Sequence, residues 1–162
     1  MRKKKIYLDT SVISHLDAED TIDKMQTTLG LWEFLKDGYY DIYVSDLVFD
    51  EINKCNNQKR NFLLKKLDEI NYTKLEINDE IVELVWEYLN DQVLTLKSID
   101  DLTHIAFAVS NDIDYILSWN FKHFVNIKTI NKVNLLNKEL GFDEILIIPP
   151  VMLIGGEEDE RK

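Results

Sequence analysis

Four polar side chains stand where chemistry is possible: Asp9 in "KIYLDTSVI", Glu51 in "SDLVFDEINKC", Asp101 in "SIDDLTHIAFAVSND" and Asn120 in "DYILSWN". Each follows or interrupts an apolar run, so each is tethered to an element that must be buried. A carboxylate held against apolar surroundings is costly unless something neutralises it. Several that converge repel one another, and the usual remedy is a hard divalent cation with oxygen ligands. Two or three carboxylates with retained waters suit Mg²⁺ or Mn²⁺. Such an ion lowers the pKa of a bound water and neutralises charge developing on a phosphate, which is the chemistry of phosphodiester hydrolysis.

Every one of these residues also has a plainer use. Asp9 closes the run Ile6–Leu8 and can equally cap a helix that resumes at Val12. Glu51 falls on the same helical arc as Leu47, Val48, Ile52 and Cys55, while Asp50 points away; a Glu at the edge of such an arc can snorkel or pair with a lysine. Asp101 borders the apolar stripe Leu102, Ile105, Ala106 and Val109, with Asp100, Thr103 and Phe107 on the outer face. Ser98-x-x-Asp101 has the form of a capping box, Ser98 being the cap. His104, one turn from Asp100 and Asp101, reads as a surface ion pair.

Other chemistries lack their parts. His15, His104 and His123 have no zinc spacing with the single Cys55, which reads as a small core residue. Ser11 stands outside any G-x-S-x-G setting, and no phosphate-binding G-x-x-x-x-G-K-[ST] occurs. Phosphatases that use D-x-D need an acid two residues after the first, and here that position is Ser11.

The elements that position these residues follow from periodicity. Ile6–Asp9, Asp41–Val44, Tyr115–Leu117 and Ile145–Ile148 read as strands. Helical spacing covers Thr21–Leu35, a stretch opening at Ser45 or Asp46, Phe62–Ile70 behind a polar break at Asn53–Asn61, Glu80–Leu89 and Asp101–Ser110. Strands alternating with helices predict an α/β fold with a mostly parallel sheet and helices on its faces. In such a sheet ligands bind beyond the carboxyl ends of the strands, where Asp9 lies.

Composition sets the bounds. With 162 residues, 45% hydrophobic and 30% charged, the chain has material for one core. The expectation is one domain over 1–150 and a mobile acidic tail over 151–162, which holds Glu157, Glu158, Asp159 and Glu160. A formal net charge of −11 argues against broad adhesion to nucleic acid, although Lys3–Lys5, Lys59-Arg60 and Lys65-Lys66 can form a local basic strip. One cysteine suits a reducing cytoplasm. No apolar run approaches a membrane span, so no membrane partner is expected.

From Ile6 to about Pro149 the order and spacing of "IYLDTSVI", "VSDLVFDEI", "DDLTHIAFAVSNDIDYILSWNFKHF" and "EILIIPP" resemble the PIN-domain ribonucleases, the fold of VapC-type toxins of bacterial toxin–antitoxin pairs. The resemblance implies a three-layer α/β/α fold and a metal-dependent endoribonuclease acting on RNA. Asp9, Glu51 and Asp101 would be the metal-binding acids for Mg²⁺ or Mn²⁺, with Ser11 or Thr10 orienting a carboxylate or a bound water. Asn120 would be a polar auxiliary, in a segment where the family often has a fourth acid, and His123 stands where many toxins carry an Asp. Lys59, Arg60, Lys65 or Lys66 would hold the RNA backbone, and Trp119 reads as packing rather than as a base platform. The resemblance also implies an antitoxin whose arginine enters the acidic pocket, and a homodimer. The departure at Asn120 leaves a second reading open: a degenerate PIN module that binds RNA or protein without cleavage.

Overall fold

Lys5-Ile6-Tyr7-Leu8 forms β1, the central strand of a five-stranded sheet in a computed structural model that describes residues 2–91, 93 and 98–154. Ile6, Tyr7 and Leu8 have no solvent exposure, so both faces of β1 are covered, as an unbroken apolar run demands. The sheet order is β3-β2-β1-β4-β5, with β2 at Asp41–Ser45, β3 at Thr73–Leu75, β4 at Tyr115–Leu117 and β5 at Leu146–Ile148. All four pairings are parallel, which sharpens the expectation of a mostly parallel sheet. Tyr7 aligns with Tyr43 on one side and Ile116 on the other.

The helices are α1 (Thr10–Ser14), α2 (Ile22–Leu35), α3 (Asp46–Asn53), α4 (Asn57–Asp68), α5 (Asp79–Asn90), α6 (Ile99–Ser110) and α7 (Ile127–Leu140). Parallel neighbours require crossovers, and their right-handedness puts α1–α4 on one face and α5–α7 on the other. Cross-links agree: Trp32 Nε1 on α2 donates to the Lys66 carbonyl on α4, and the Tyr88 hydroxyl on α5 donates to Asn137 Oδ1 on α7. The result is a three-layer α/β/α molecule. The chain winds outward from β1 to β3, returns across the sheet to β4, and continues to β5. The direction of winding therefore reverses between β1 and β4, and the crevice above their carboxyl ends is where such sheets bind ligands.

Several expectations shift. The helix expected over Phe62–Ile70 begins earlier, at Asn57, because Asn56 caps it by accepting from the Lys59 amide; the polar run Gln58–Asn61 is its solvent-facing first turn. Two of the numbered elements, β3 and α7, have no counterpart in the sequence expectations. β3 is a three-residue edge strand, too short for its alternation to register. In α7 the stripe Ile130, Val133 and Leu136 is diluted by asparagines and lysines. Phe107, expected outward, is fully buried, because α6 is covered on nearly all sides. Ser98 occupies the cap position of α6 without making a side-chain cap bond. Cys55, expected in the core, is half-buried. Residues 150–154 continue helically and Leu153 is buried, so the packed chain passes the boundary expected at 150; 155–162 lie outside the described residues. No helix among the described residues is long and apolar enough to cross a membrane.

Candidate functional site

Asp9 follows β1 directly and its backbone N–H donates to the Leu117 carbonyl of β4, which fixes it at the switch point. Its Oδ1 caps α1 by accepting from Val12 N at 3.1 Å and also accepts the Ser11 hydroxyl at 2.6 Å. The cap that the sequence allowed is therefore present, and it occupies one carboxylate oxygen. Ser11 in turn accepts the Trp119 amide N–H at 2.9 Å, tying the end of β1 to the residues after β4. Burial pushes the Asp9 carboxyl above its ordinary range, against the pull of the His104 ring and of the bonds from Ser11, Ser118 and Val12.

Glu51 reaches the same end from α3. Its Oε1 accepts the Thr10 hydroxyl at 2.9 Å, and Thr10 is Asp9's neighbour in the chain. The same oxygen lies 2.8 Å from His104 Nε2. Burial alone would raise the Glu51 carboxyl, but the bond and charge of His104, with help from Thr10 and Lys54, bring it below the usual glutamate value. Asp101 comes from the first turn of α6 and is half-buried. Burial raises its carboxyl, and the charges of Asp9 and Glu51 raise it further, outweighing His104 and His123. Of the three acids expected from sequence, Asp101 is thus the one whose ionisation the charges of the other two oppose.

His104 overturns the expectation of a surface ion pair. Its side chain is buried, edge-on to Tyr7 on one side and to Phe124 on the other. Its Nδ1 lies 2.5 Å from the Tyr7 hydroxyl, which lies 2.7 Å from Ser45 Oγ. A carboxylate only accepts, so Nε2 carries a hydrogen toward Glu51. Beyond it Nδ1 shares a hydrogen bond with the Tyr7 hydroxyl, Tyr7 shares one with Ser45, and Ser45 Oγ accepts the Val48 N–H. The chain of bonds links the end of β2, through β1 and α6, to the acid on α3. Burial drives the Tyr7 pKa well up, so its hydroxyl stays a donor. The signal for this residue lay in α6 itself: a helix apolar on nearly every side is buried, and a histidine within it must find partners.

No protein-family model and no curated protein matches the sequence. Solved structures do match in shape. VapC20 of Mycobacterium tuberculosis, a sarcin–ricin-loop-cleaving toxin, superimposes with a TM-score of 0.57 at 18% identity, covering 86% of this chain and 98% of that one. VapBC2 of Rickettsia felis, solved bound to a DNA fragment from its promoter, gives 0.53 at 14% identity, covering 90% and 98%. The chain has a VapC-like PIN fold.

Within this PIN fold, Asp9, Glu51 and Asp101 offer carboxylate oxygens, a set whose chemistry fits a hard divalent cation. Among the described residues, no three His, Cys, Asp or Glu side chains stand close enough, as placed, to share one ion. Asn120 serves its own segment: its Oδ1 accepts the His123 N–H at 3.1 Å and its carbonyl accepts from Phe124 and Val125, so it caps the turn after β4. Trp119 is buried as expected, with Nε1 donating to Thr28 on α2 at 2.9 Å. Of the expected basic strip, Lys66 pairs with Glu69 and lies over Phe62, and Arg60 donates to Asn57.

Proposed function

We propose that this chain is a metal-dependent endoribonuclease that hydrolyses RNA phosphodiester bonds, of the kind that serves as the toxin of a toxin–antitoxin pair. The observation that carries the reading is the place of Asp9 at the switch point of the parallel sheet, with Glu51 of α3 bonded to its chain neighbour Thr10. Likeness in shape to a loop-cleaving toxin supports the substrate class. Asp9, Glu51 and Asp101 would hold Mg²⁺ or Mn²⁺; when bound, the ion supplies a water of lowered pKa and a counter-charge for the phosphate. The chain's own residues do the positioning. Ser11 and Val12 hold one oxygen of Asp9, Thr10 and His104 hold one oxygen of Glu51, and the Asn120 cap fixes the segment that covers Ser11.

An antitoxin arginine would pair with the same carboxylates, and likeness to VapBC2 supports a protein partner of that kind. A homodimer in the cytoplasm belongs to the same proposal. A second reading, a module that binds RNA or protein without cutting, is favoured by one observation: the acids as placed do not share an ion position and Glu51 Oε1 is already taken. Incubating purified protein with RNA and Mn²⁺ or Mg²⁺, beside Asp9→Asn and an EDTA control, separates the two. Cleavage that disappears in both controls is expected; intact RNA in every lane from folded protein selects the non-cutting module.

A further inference from the structure

Beside the carboxylates lies an aromatic and cationic patch that the proposed chemistry does not use. Phe121 follows β4 by a few residues and keeps 47% of its surface exposed. Its ring packs edge-on against Trp119, with centroids 6.0 Å apart and planes at 81°. Trp119 is held on several sides: its indole N–H is bonded to Thr28, its amide to Ser11, and the His15 ring lies against it at 5.9 Å. His15 is itself fixed by a bond from Nδ1 to the Ser11 carbonyl. Above these rings stands Lys24 of α2, with Nζ 5.0 Å from the Phe121 centroid and 5.6 Å from that of Trp119.

We propose that Phe121, braced by Trp119 and flanked by Lys24, is a subsite for one unpaired nucleobase and its phosphate in an RNA strand running into the carboxylate site. The inference rests on the ribonuclease reading for the identity of the ligand. A lysine stem over two rings can also simply shield apolar surface. Two observations favour a ligand. Nearly half of Phe121 stays open despite the cover, and Lys24 forms no ion pair among the described residues although Glu19, Asp20 and Asp23 are close in sequence. A pinned aromatic with a free cation above it is the arrangement that holds single strands without reading their sequence: the ring stacks and the cation takes the phosphate. In a chain of net charge −11 such a cation also gives an RNA backbone a point of approach next to acids that repel it. The path to the acids is short, because Ser11 bonds both the Trp119 amide and Asp9.

The test is binding of a short fluorescein-labelled single-stranded RNA to Asp9→Asn protein, followed by anisotropy, alone and with Phe121→Ala, Phe121→Leu, Phe121→Trp or Lys24→Ala added. Alanine and leucine should each weaken binding by roughly 5-fold or more and tryptophan should restore it, because stacking needs a π face. Lys24→Ala should flatten the salt dependence by about 0.7 in log–log slope, one phosphate's worth. An RNA carrying abasic positions should bind the Phe121 variants and their parent alike. Equal affinity of Phe121→Ala and Phe121→Leu with the parent for the intact RNA would overturn the subsite, even where the wild type cuts. RNA held through Phe121 but never cut by wild-type protein would keep the subsite and overturn the nuclease.

Discussion

Replacing His104 with alanine removes one hydrogen bond each from two elements at once, from the half-buried Glu51 carboxylate of α3 and from the buried Tyr7 hydroxyl of β1. The expected loss is about 2–4 kcal/mol in urea denaturation, the sum for two lost hydrogen bonds of which one is to a charged group, with Thr10 and Ser45 still in place. His104→Gln returns an N–H near the Nε2 position and should recover a good part of that loss; an alanine variant with the parent's midpoint would show that the chain of bonds does not hold the site. This residue marks the limit of what the sequence discloses. Asp9, Glu51 and Asp101 stand out in the sequence because each is a charge beside an apolar run, which is a local contradiction visible in one dimension. His104 is no contradiction locally, since two acids one turn away offer it an ordinary surface role. Its burial depends on α6 being covered by neighbours distant in sequence. Asn120 shows the converse: its position suggested chemistry, and its oxygen is spent on the backbone three residues on.

Elements behave similarly. The strands that matter most, β1, β2 and β4, are short apolar runs whose neighbours in sequence are polar, and their approximate positions followed from pattern alone. The parallel order also followed, because strands separated by helices leave no room for hairpins. β3 and α7 escaped, one for its length and the other because its apolar stripe is narrow among polar neighbours. What secures α7 is partly a polar link: Tyr88 of α5 donates to Asn137, and both residues are fully buried. Among the described residues Asn137 Nδ2 has no partner, so this link is already incompletely satisfied. Tyr88→Phe should cost about 1–3 kcal/mol by leaving the remaining amide oxygen unpaired too. Adding Asn137→Leu should return stability to near the parent's, since replacing both partners with apolar groups removes the unmet demand. Denaturant midpoints of the single and double variants decide this, and a double variant weaker than Tyr88→Phe alone would refute it.

At the scale of the whole molecule, the amino ends of the strands are clipped by Asp114, which precedes β4. Burial would raise its carboxyl, but the Arg2 guanidinium and the Lys5 amide N–H, bonding at 2.8–3.1 Å, hold it below its ordinary value. Its folded pKa is therefore lower than its unfolded one, and the unfolded chain takes up the proton first as acid is added. The clip contributes fully above the unfolded value of about 4, fades as pH falls toward the folded value, and is gone below it. Thermal melts from pH 7 downward should show this slope in the parent and a shallower one in Asp114→Asn; identical slopes would remove Asp114 from the account. The central place of β1 has a further consequence, which concerns biosynthesis. Residues 5–8 are made long before 115–117, one of their two flanking strands, and the Ser11 hydroxyl waits for the amide of Trp119. At roughly 5–20 residues per second the growing chain carries Asp9 exposed for seconds, with Glu51 following, before the other half arrives to enclose them. A polypeptide arrested before β4 already holds Asp9, Glu51 and Asp101 but lacks the strand that closes the crevice over them, so whatever this protein does cannot begin until residues 115–119 have been made.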